Sequence, residues 1–500
     1  MINNINSNNS TRLFNVAISI ALLAVAKVFA VPSTTPTNMQ TTPGVSFQST
    51  GSNLSFIAPD RSGINWNNFG SGLDTIAAGD VISYRLPSST SSVLNVVNGT
   101  SATTINGAIE SNANVYILNP NGIVIGNGAR IDVGRLVLST VDSPFAGQFA
   151  FLNDGKLPSE NGTRTASGTV TVTSGVSTGN VVALSKDISI SNLLSSGNIT
   201  ISADGNVVIG AGSGTVYNTG KITVTNPSGN TTIGSAGSNV ISNNGISVTS
   251  TSGAISTVAG ANISSNTISL VSATGDINAS NLSSPTVSAS GKNVTVGFSG
   301  ASNPSVAVSA NGTVSVNSPS SLTLSSLTNE SGASSVVSSG KLTIGSAQVR
   351  SSLPTTFSGQ SVVDSADGVF IYGPASFAAT AGDVSIVKNN HSFGPISAAA
   401  TGNVTVFEGG AMNINNIRGT NVSLKTNEFA FQTLTSASLL AVKLSIIASS
   451  NVALYTGTIS NGLTINTLGN VDLGRLSLAA NLNNVTPTIV TVGTVTNPVP

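Results

Sequence analysis

The sequence has no cysteine, a single tryptophan and a single histidine, and only 7% of its 500 residues carry charge. Without cysteine there are no disulfides, thiolate metal sites or cysteine nucleophiles, so stability must come from an extended core and backbone ladders. A lone histidine excludes a histidine-cluster metal site, and no cofactor is expected. An average soluble protein is roughly 25% charged; here 18 basic residues balance 18 acidic ones. A net charge of zero supplies no electrostatic footprint for nucleic acid or anionic lipid. Aromatics make up only 4%. Beyond the first thirty residues no segment reaches the ~18 uninterrupted apolar residues of a membrane helix.

What the chain has instead is Ser, Thr, Asn and Gly, with 39% apolar residues dominated by Val, Ile, Leu and Ala. Five hundred residues could make three ordinary domains, but elongated repeat folds escape that length prior. The composition fits either disorder or β-structure, and β-branched residues in regular short runs favour β.

Residues 1–30 read as a secretory signal: Arg12 precedes an apolar stretch at 13–26, and Val28 and Ala30 are small residues two apart at the cut. Lys27 interrupts the run, and an N-terminal anchor is the other reading. Residues 31–44 are Pro/Thr-rich and expected to form a flexible lead. Strands are expected at 45–47, 54–57 and 81–86. Trp66 and Phe69 are expected to plug the core or cap an end.

The tightest local pattern follows. An apolar β-forming run at 115–118 meets the turn Asn119, Pro120, Asn121, Gly122, and 123–125 continues as a second strand before another turn at 126–128. Pro120 fixes φ and removes a donor, while Asn121 and Gly122 tolerate left-handed φ. No helix follows Gly126, Asn127 and Gly128, so they read as a turn and not a phosphate loop.

From about residue 160 a looser unit repeats. Strand starts at Ile199, Ile222, Ile246, Ile268, Val294, Val314, Leu342, Val384, Val404, Val422, Leu444 and Leu463 give a mean spacing of about 22 residues, counting the longest gap as two units. That period with period-two alternation predicts a parallel β-solenoid, right- or left-wound. Alternate Val, Ile and Leu side chains would point inward and stack on coils ~4.8 Å apart. About 20 coils would make a monomeric rod on the order of 100 Å long. Asn and Thr at the corners can form ladders, and scarce charge avoids stacking like charges. Open ends need caps. Residues 45–100 are expected to form the N-terminal one. At the other end a strand is expected at 488–495, and Pro498 and Pro500 cannot extend a ladder. No alternating ten-residue strands ending in aromatics suggest an outer-membrane barrel within the chain.

Residues 66–69 (Trp-Asn-Asn-Phe), 93–99, 105–109, 115–126 and 137–140 (Val-Leu-Ser-Thr) occur in an order that resembles the N-terminal secretion domain of the filamentous haemagglutinin family, over about residues 40–190. The resemblance implies a right-handed, pectin-lyase-like parallel β-helix of about 20–23 residues per coil with an N-terminal cap. It implies a secretion domain at 45–190, leaving 191–500 as β-helix repeat. It also ties Asn119, Pro120, Asn121 and Gly122 to secretion through an outer-membrane barrel transporter of the two-partner type. Members are adhesins, haemagglutinins, cytolysins or contact-dependent inhibitors. Many are several times longer, and no compact charged C-terminal region here suggests a toxin.

An enzyme acting on polysaccharide needs carboxylates grouped on neighbouring coils. Asp364 and Asp383 are 19 apart, about one coil, with Asp367 and Arg350 nearby, although isolated Asp residues at turns mostly accept turn hydrogen bonds. His391 is expected in a loop. Sequons such as Asn98-Gly99-Thr100 follow from the composition. The expected function is therefore a secreted or surface-exposed adhesin-like protein of a Gram-negative bacterium, not an enzyme, binding a host or bacterial glycan or protein and no nucleic acid. A polysaccharide-acting enzyme and a structural fibre are the alternatives.

Overall fold

A computed structural model describes residues 39–66, 75–161, 167–177, 179–300, 303–426, 431–448, 452–453, 456–467, 471–472, 475–478, 488–491 and 495–496. The expected signal segment and Phe69 lie outside the described residues, as do Pro498 and Pro500. The chain divides into two compact units, Met1–Ser247 and Val248–Pro500. Each is a parallel β-solenoid.

In the first unit three strand columns stack in parallel. One runs through Ser62–Trp66, Ser92–Val97, Asn114–Leu118, Arg135–Ser139, Asn180–Ser185 and Ile199–Ala203. A second runs through Thr75–Ile76, Thr103–Ile105, Ile123–Ile125, Thr169–Val172 and Asp187–Ile190. The third starts from Asn53–Ile57 and Val81–Arg85 and continues through Ala108–Ser111 and Ala129–Asp132. Parallel register puts like on like: Val93 beside Val115, and Val115 beside Leu136. Each fully buried aliphatic side chain contributes roughly 1.5–3 kcal/mol relative to exposure.

The N-terminal edge is closed by antiparallel strands. Met39–Thr41 pairs with Ser62–Trp66, and Ser46–Thr50 folds back on Asn53–Ile57. The flexible lead expected over 31–44 is thus already a strand at 39–41, because Met39 is buried against the cap and pairs with Trp66.

One element has no counterpart in the sequence reading. Helix α1, Pro144–Asp154, and a 3-10 turn, Pro158–Asn161, are inserted between Ser139 and Asn180. Ser143 caps the helix, its Oγ accepting from Ala146 N, Pro144 sits in the first turn, and Gly155 ends it at φ 69°. The insert covers the outer face of the first column, where Leu94, Val96, Tyr116, Leu118, Val137, Val182 and Leu184 join Phe151 and Leu157 in one cluster. With both faces covered, Ser92–Val97 is buried at every position. Elsewhere strands alternate, as Ile222–Asn226 does.

The columns run through residue 190 without a break: Leu193–Ser195 pairs with both Gly175–Ser177 and Thr215–Asn218.

In the second unit, Ile277–Ser283, Val294–Phe298, Val314–Ser318, Ser334–Ser338, Thr355–Gly359, Ala375–Ala379 and Ile396–Ala400 form one column. Thr286–Gly291, Ser305–Ala310, Leu322–Asn329 and Leu342–Val349 form another, which then divides into Val362–Asp364 and Val369–Ile371. Buried Phe357 and Phe377 stack at 5.4 Å between ring centres, and Phe393 meets Phe377 edge-on at 5.5 Å. The uneven spacing of strand starts now has a cause. Ile268 pairs with Val287, whereas Val294 pairs back to Ile277. Likewise Val314 pairs with Ser334, whereas Leu342 pairs back to Leu322. At those two steps the apparent series changed column.

The expected corner ladders are present in both units. Asp187 Oδ1 accepts from Asn206 N, and Asn206 Oδ1 accepts from Asn230 N. Asp276 Oδ1 accepts from Asn293 N, and Asn293 Oδ1 from Thr313 N. Asp383 Oδ1 accepts from Asn403 N. Each side chain satisfies a backbone donor of the next coil that the corner would otherwise leave unpaired.

Candidate functional site

Asn119 ends the buried strand Asn114–Leu118 and is itself fully buried. Its Nδ2 donates to Ser101 O at 3.0 Å and to Thr103 Oγ1 at 2.8 Å, while its Oδ1 accepts from Asn121 N at 2.9 Å. Gly122 N donates to Asn119 O at 3.1 Å, closing the turn. Gly122 adopts φ +124°, a backbone that only glycine takes without strain. Asn121 is exposed, yet its Nδ2 reaches back to Gly99 O at 2.7 Å. Behind the turn Gly168 N donates to Pro120 O at 2.9 Å. The outward surface of the turn is therefore the ring of Pro120 and the side of Asn121; Asn119 is reachable by no partner.

Trp66 is fully buried. Its Nε1 donates to Asn95 Oδ1 at 3.1 Å, and Tyr84 Oη donates to the same oxygen at 2.7 Å. Asn95 Nδ2 in turn donates to Tyr116 O at 3.1 Å. Phe56 stacks on Tyr84 at 5.3 Å and meets Trp66 edge-on at 5.8 Å. Burial pushes the Tyr84 phenol far up, outweighing its bond to Asn95, so it stays a donor.

The helical insert is fixed from both sides. Asp142, buried, accepts from Ser139 Oγ at 2.6 Å, Ser159 Oγ at 2.5 Å and Ser159 N at 3.0 Å. Arg135 donates to Glu160 at 2.6 Å and to Tyr116 Oη at 2.8 Å. Burial pushes the Tyr116 phenol up to about 12 despite the adjacent guanidinium. Arg61 of the cap donates to Asn153 O, a helix C-terminal carbonyl, at 2.7 Å. Cap, insert and turn thus share one set of contacts, which sequence reasoning missed except for Trp66 and the turn. Ser143-Pro144 before a helix-forming run closed by Gly155 was the available signal.

The carboxylates of the second unit are not a catalytic pair. Asp383 is exposed and serves its corner ladder, because Val384 lies beside Val362 and so places Asp383 next to Ser361. Asp364 is buried and pairs with His391, Nε2 to Oδ2 at 2.8 Å, and also accepts from Val387 N and Lys388 N. Val369 N donates to His391 Nδ1 at 3.1 Å, which leaves the ring proton on Nε2, donated to Asp364. Burial pushes the Asp364 carboxyl up, but these hydrogen bonds outweigh it and hold the group below its usual range. His391 lies between strands as expected, but in the interior. Buried Glu408 accepts from Phe393 N at 2.9 Å, and burial raises it to about 8. Asp367 accepts from Asn389 N, and Arg350 pairs with Glu330 at 3.4 Å. Among the described residues no three His, Asp or Glu side chains are grouped to hold a metal. Also among them, no helix is long and apolar enough to cross a membrane.

A family model described as the TPS (two-partner secretion) secretion domain matches residues 29–292. A heme/hemopexin-binding protein of Haemophilus influenzae (strain ATCC 51907 / DSM 11121 / KW20 / Rd) is 34% identical over 79 residues, 16% of this chain and 8% of that protein. A second heme/hemopexin-binding protein of Haemophilus influenzae is 32% identical over 83 residues, 17% of this chain and again 8% of its own length. These matches therefore span under a tenth of the curated relatives. The crystal structure of the HMW1 secretion domain from Haemophilus influenzae aligns over 92% of this chain and 100% of its own, at 14% identity and a TM-score of 0.23.

Proposed function

Because this chain belongs to the TPS secretion domain family, whose model covers more than half of its 500 residues, we propose that the secretion domain expected at 45–190 is the part read during export and that the repeat region at 191–500 carries an adhesive surface. The protein is exported by the two-partner secretion pathway and is secreted or held at the cell surface of a Gram-negative bacterium. Its partner in export is an outer-membrane barrel transporter of that pathway. The adhesive target is a glycan or protein on a host or bacterial surface.

The observation that carries the export reading is the buried Asn119 amide, which fixes the turn while leaving Pro120 and Asn121 outward. Asn119 and Gly122 set the shape, and Pro120 and Asn121 present it. Replacing Asn119 and Asn121 together by alanine reduces the exported yield and leaves protein in the periplasm. Undiminished extracellular yield from that double variant would remove the turn from the export step.

No catalytic role is assigned. Asp364 is committed to His391 and backbone donors, and Asp383 to a corner. Nor is haem binding carried over from the relatives, since the single histidine is buried with both ring nitrogens engaged.

A further inference from the structure

Tyr372 is the most exposed large apolar side chain among the described residues, at 76%. In a chain this poor in aromatics, a ring held in water contributes little to folding and asks for another explanation. Val369 and Ile371 point into the core, so Phe370 and Tyr372, two apart, both face out. Phe370 is in register with Gln348 on one side and Ser392 on the other. Tyr372 N donates to Val349 O, which puts Tyr372 beside Arg350, itself paired with Glu330 of the preceding coil. Two outward rows result: Gln348, Phe370, Ser392 and Glu330, Arg350, Tyr372. Between them lies a shallow hollow of about 440 Å³. A flat apolar border adjoins Tyr372: Pro354 and Pro374 stack through Thr355 N to Pro374 O, and Leu353 is half exposed.

We propose that this patch is a glycan-binding subsite that takes a neutral hexopyranose, with Phe370 and Tyr372 as stacking platforms. The inference rests on the adhesive reading above and names its ligand class. The apolar C–H face of a pyranose ring matches an exposed aromatic face, and its vicinal hydroxyls match planar, multidentate partners. The Arg350 guanidinium, the Glu330 carboxylate and the Gln348 amide supply both donors and acceptors at the rim. Charge selects among ligands: Glu330 already neutralises Arg350, so an anionic sugar gains no net attraction. Size selects as well. The hollow lies within the range of small-ligand sites, and seven lining residues fall far short of a stable protein interface. A shallow subsite binds one sugar weakly, and many displayed copies raise the avidity.

The test uses the full chain on an array of defined neutral and sialylated oligosaccharides. Tyr372→Ala and Arg350→Met should each weaken binding to neutral glycans by about tenfold or more, while Tyr372→Phe, which keeps the ring, stays within about threefold. Thermal melting of each variant should match the parent, because these side chains are exposed. Glycan binding unaffected by Tyr372→Ala would overturn the subsite and leave the adhesive reading standing. Binding confined to sialylated glycans would overturn the neutral ligand class. If no glycan binds but bacteria displaying the chain still adhere to cells, the subsite falls alone; if they do not adhere, both readings fall.

Discussion

Asn119 Nδ2 donates to Thr103 Oγ1 across 2.8 Å, joining two fully buried residues 16 positions apart. The same amide binds Ser101 O, and its oxygen receives Asn121 N. Asn119→Ala therefore strands a buried hydroxyl, a carbonyl and an N–H, and should cost about 1–3 kcal/mol. Asn121→Ala loses an exposed bond to Gly99 O and a longer one to Asn119 Oδ1 at 3.3 Å, and should cost under about 1 kcal/mol. Urea unfolding of the two single variants checks the ranking; equal losses would mean that Asn119 does not anchor the turn.

The parts of this architecture legible in the sequence are those with a local cause. Alternating Val and Ile, a turn of Asn, Pro and Gly, and Asp or Asn at corners each follow from period-two geometry and φ preferences. What escaped depends on coil length. Asp364 and His391 meet although they are 27 apart, whereas Asp364 and Asp383, 19 apart, do not, because strand register and not mean period decides which side chains share a face. Helix α1 escaped for another reason. Its local cue, Ser143-Pro144 before a helix-forming run closed by Gly155, is short, and the second cue, an unbroken apolar run with two buried faces such as 181–184, is interrupted by Asn95 in the neighbouring strand Ser92–Val97.

Gly168 backs the export turn from the far side. A Cβ there would lie 2.6 Å from Pro120 O and 2.7 Å from Gly122 N, both backbone atoms that cannot rotate away. Gly168→Ala should displace the turn and cost about 1–3 kcal/mol. The check is paired: urea midpoint and extracellular yield should fall together. A variant with parental stability and yield would show that the turn tolerates the shift.

Trp66 is the one tryptophan, so its emission reports on the cap alone. In the folded protein the emission should be blue-shifted, moving red as the cap opens. Asn95→Ala removes the acceptor shared by Trp66 Nε1 and Tyr84 Oη, stranding two buried donors at about 1–3 kcal/mol each. The emission transition should then move to lower urea. An unmoved midpoint would mean that water replaces the lost oxygen.

Two buried carboxylates give the second unit opposite pH dependences. Asp364 is held below its ordinary 3.8, so its contribution is present above that pH and is lost as pH falls through its folded value. Glu408 is raised from 4.5 to about 8. Between those values the folded chain holds a proton that the unfolded chain has released, so stability falls as pH rises across the window and levels off above about 8. Glu408→Gln keeps an oxygen for Phe393 N and removes the ionisation. The variant should gain on the parent through that window, by an amount on the order of a few kcal/mol at its alkaline end, and differ little in pH dependence below 4.5. Amide exchange in Ser392–Phe393 and Val404–Glu408, followed from pH 4 to 9 with intrinsic exchange rates divided out, reads this locally. A gap between variant and parent that stays constant over the whole range would show that another group sets the alkaline limit.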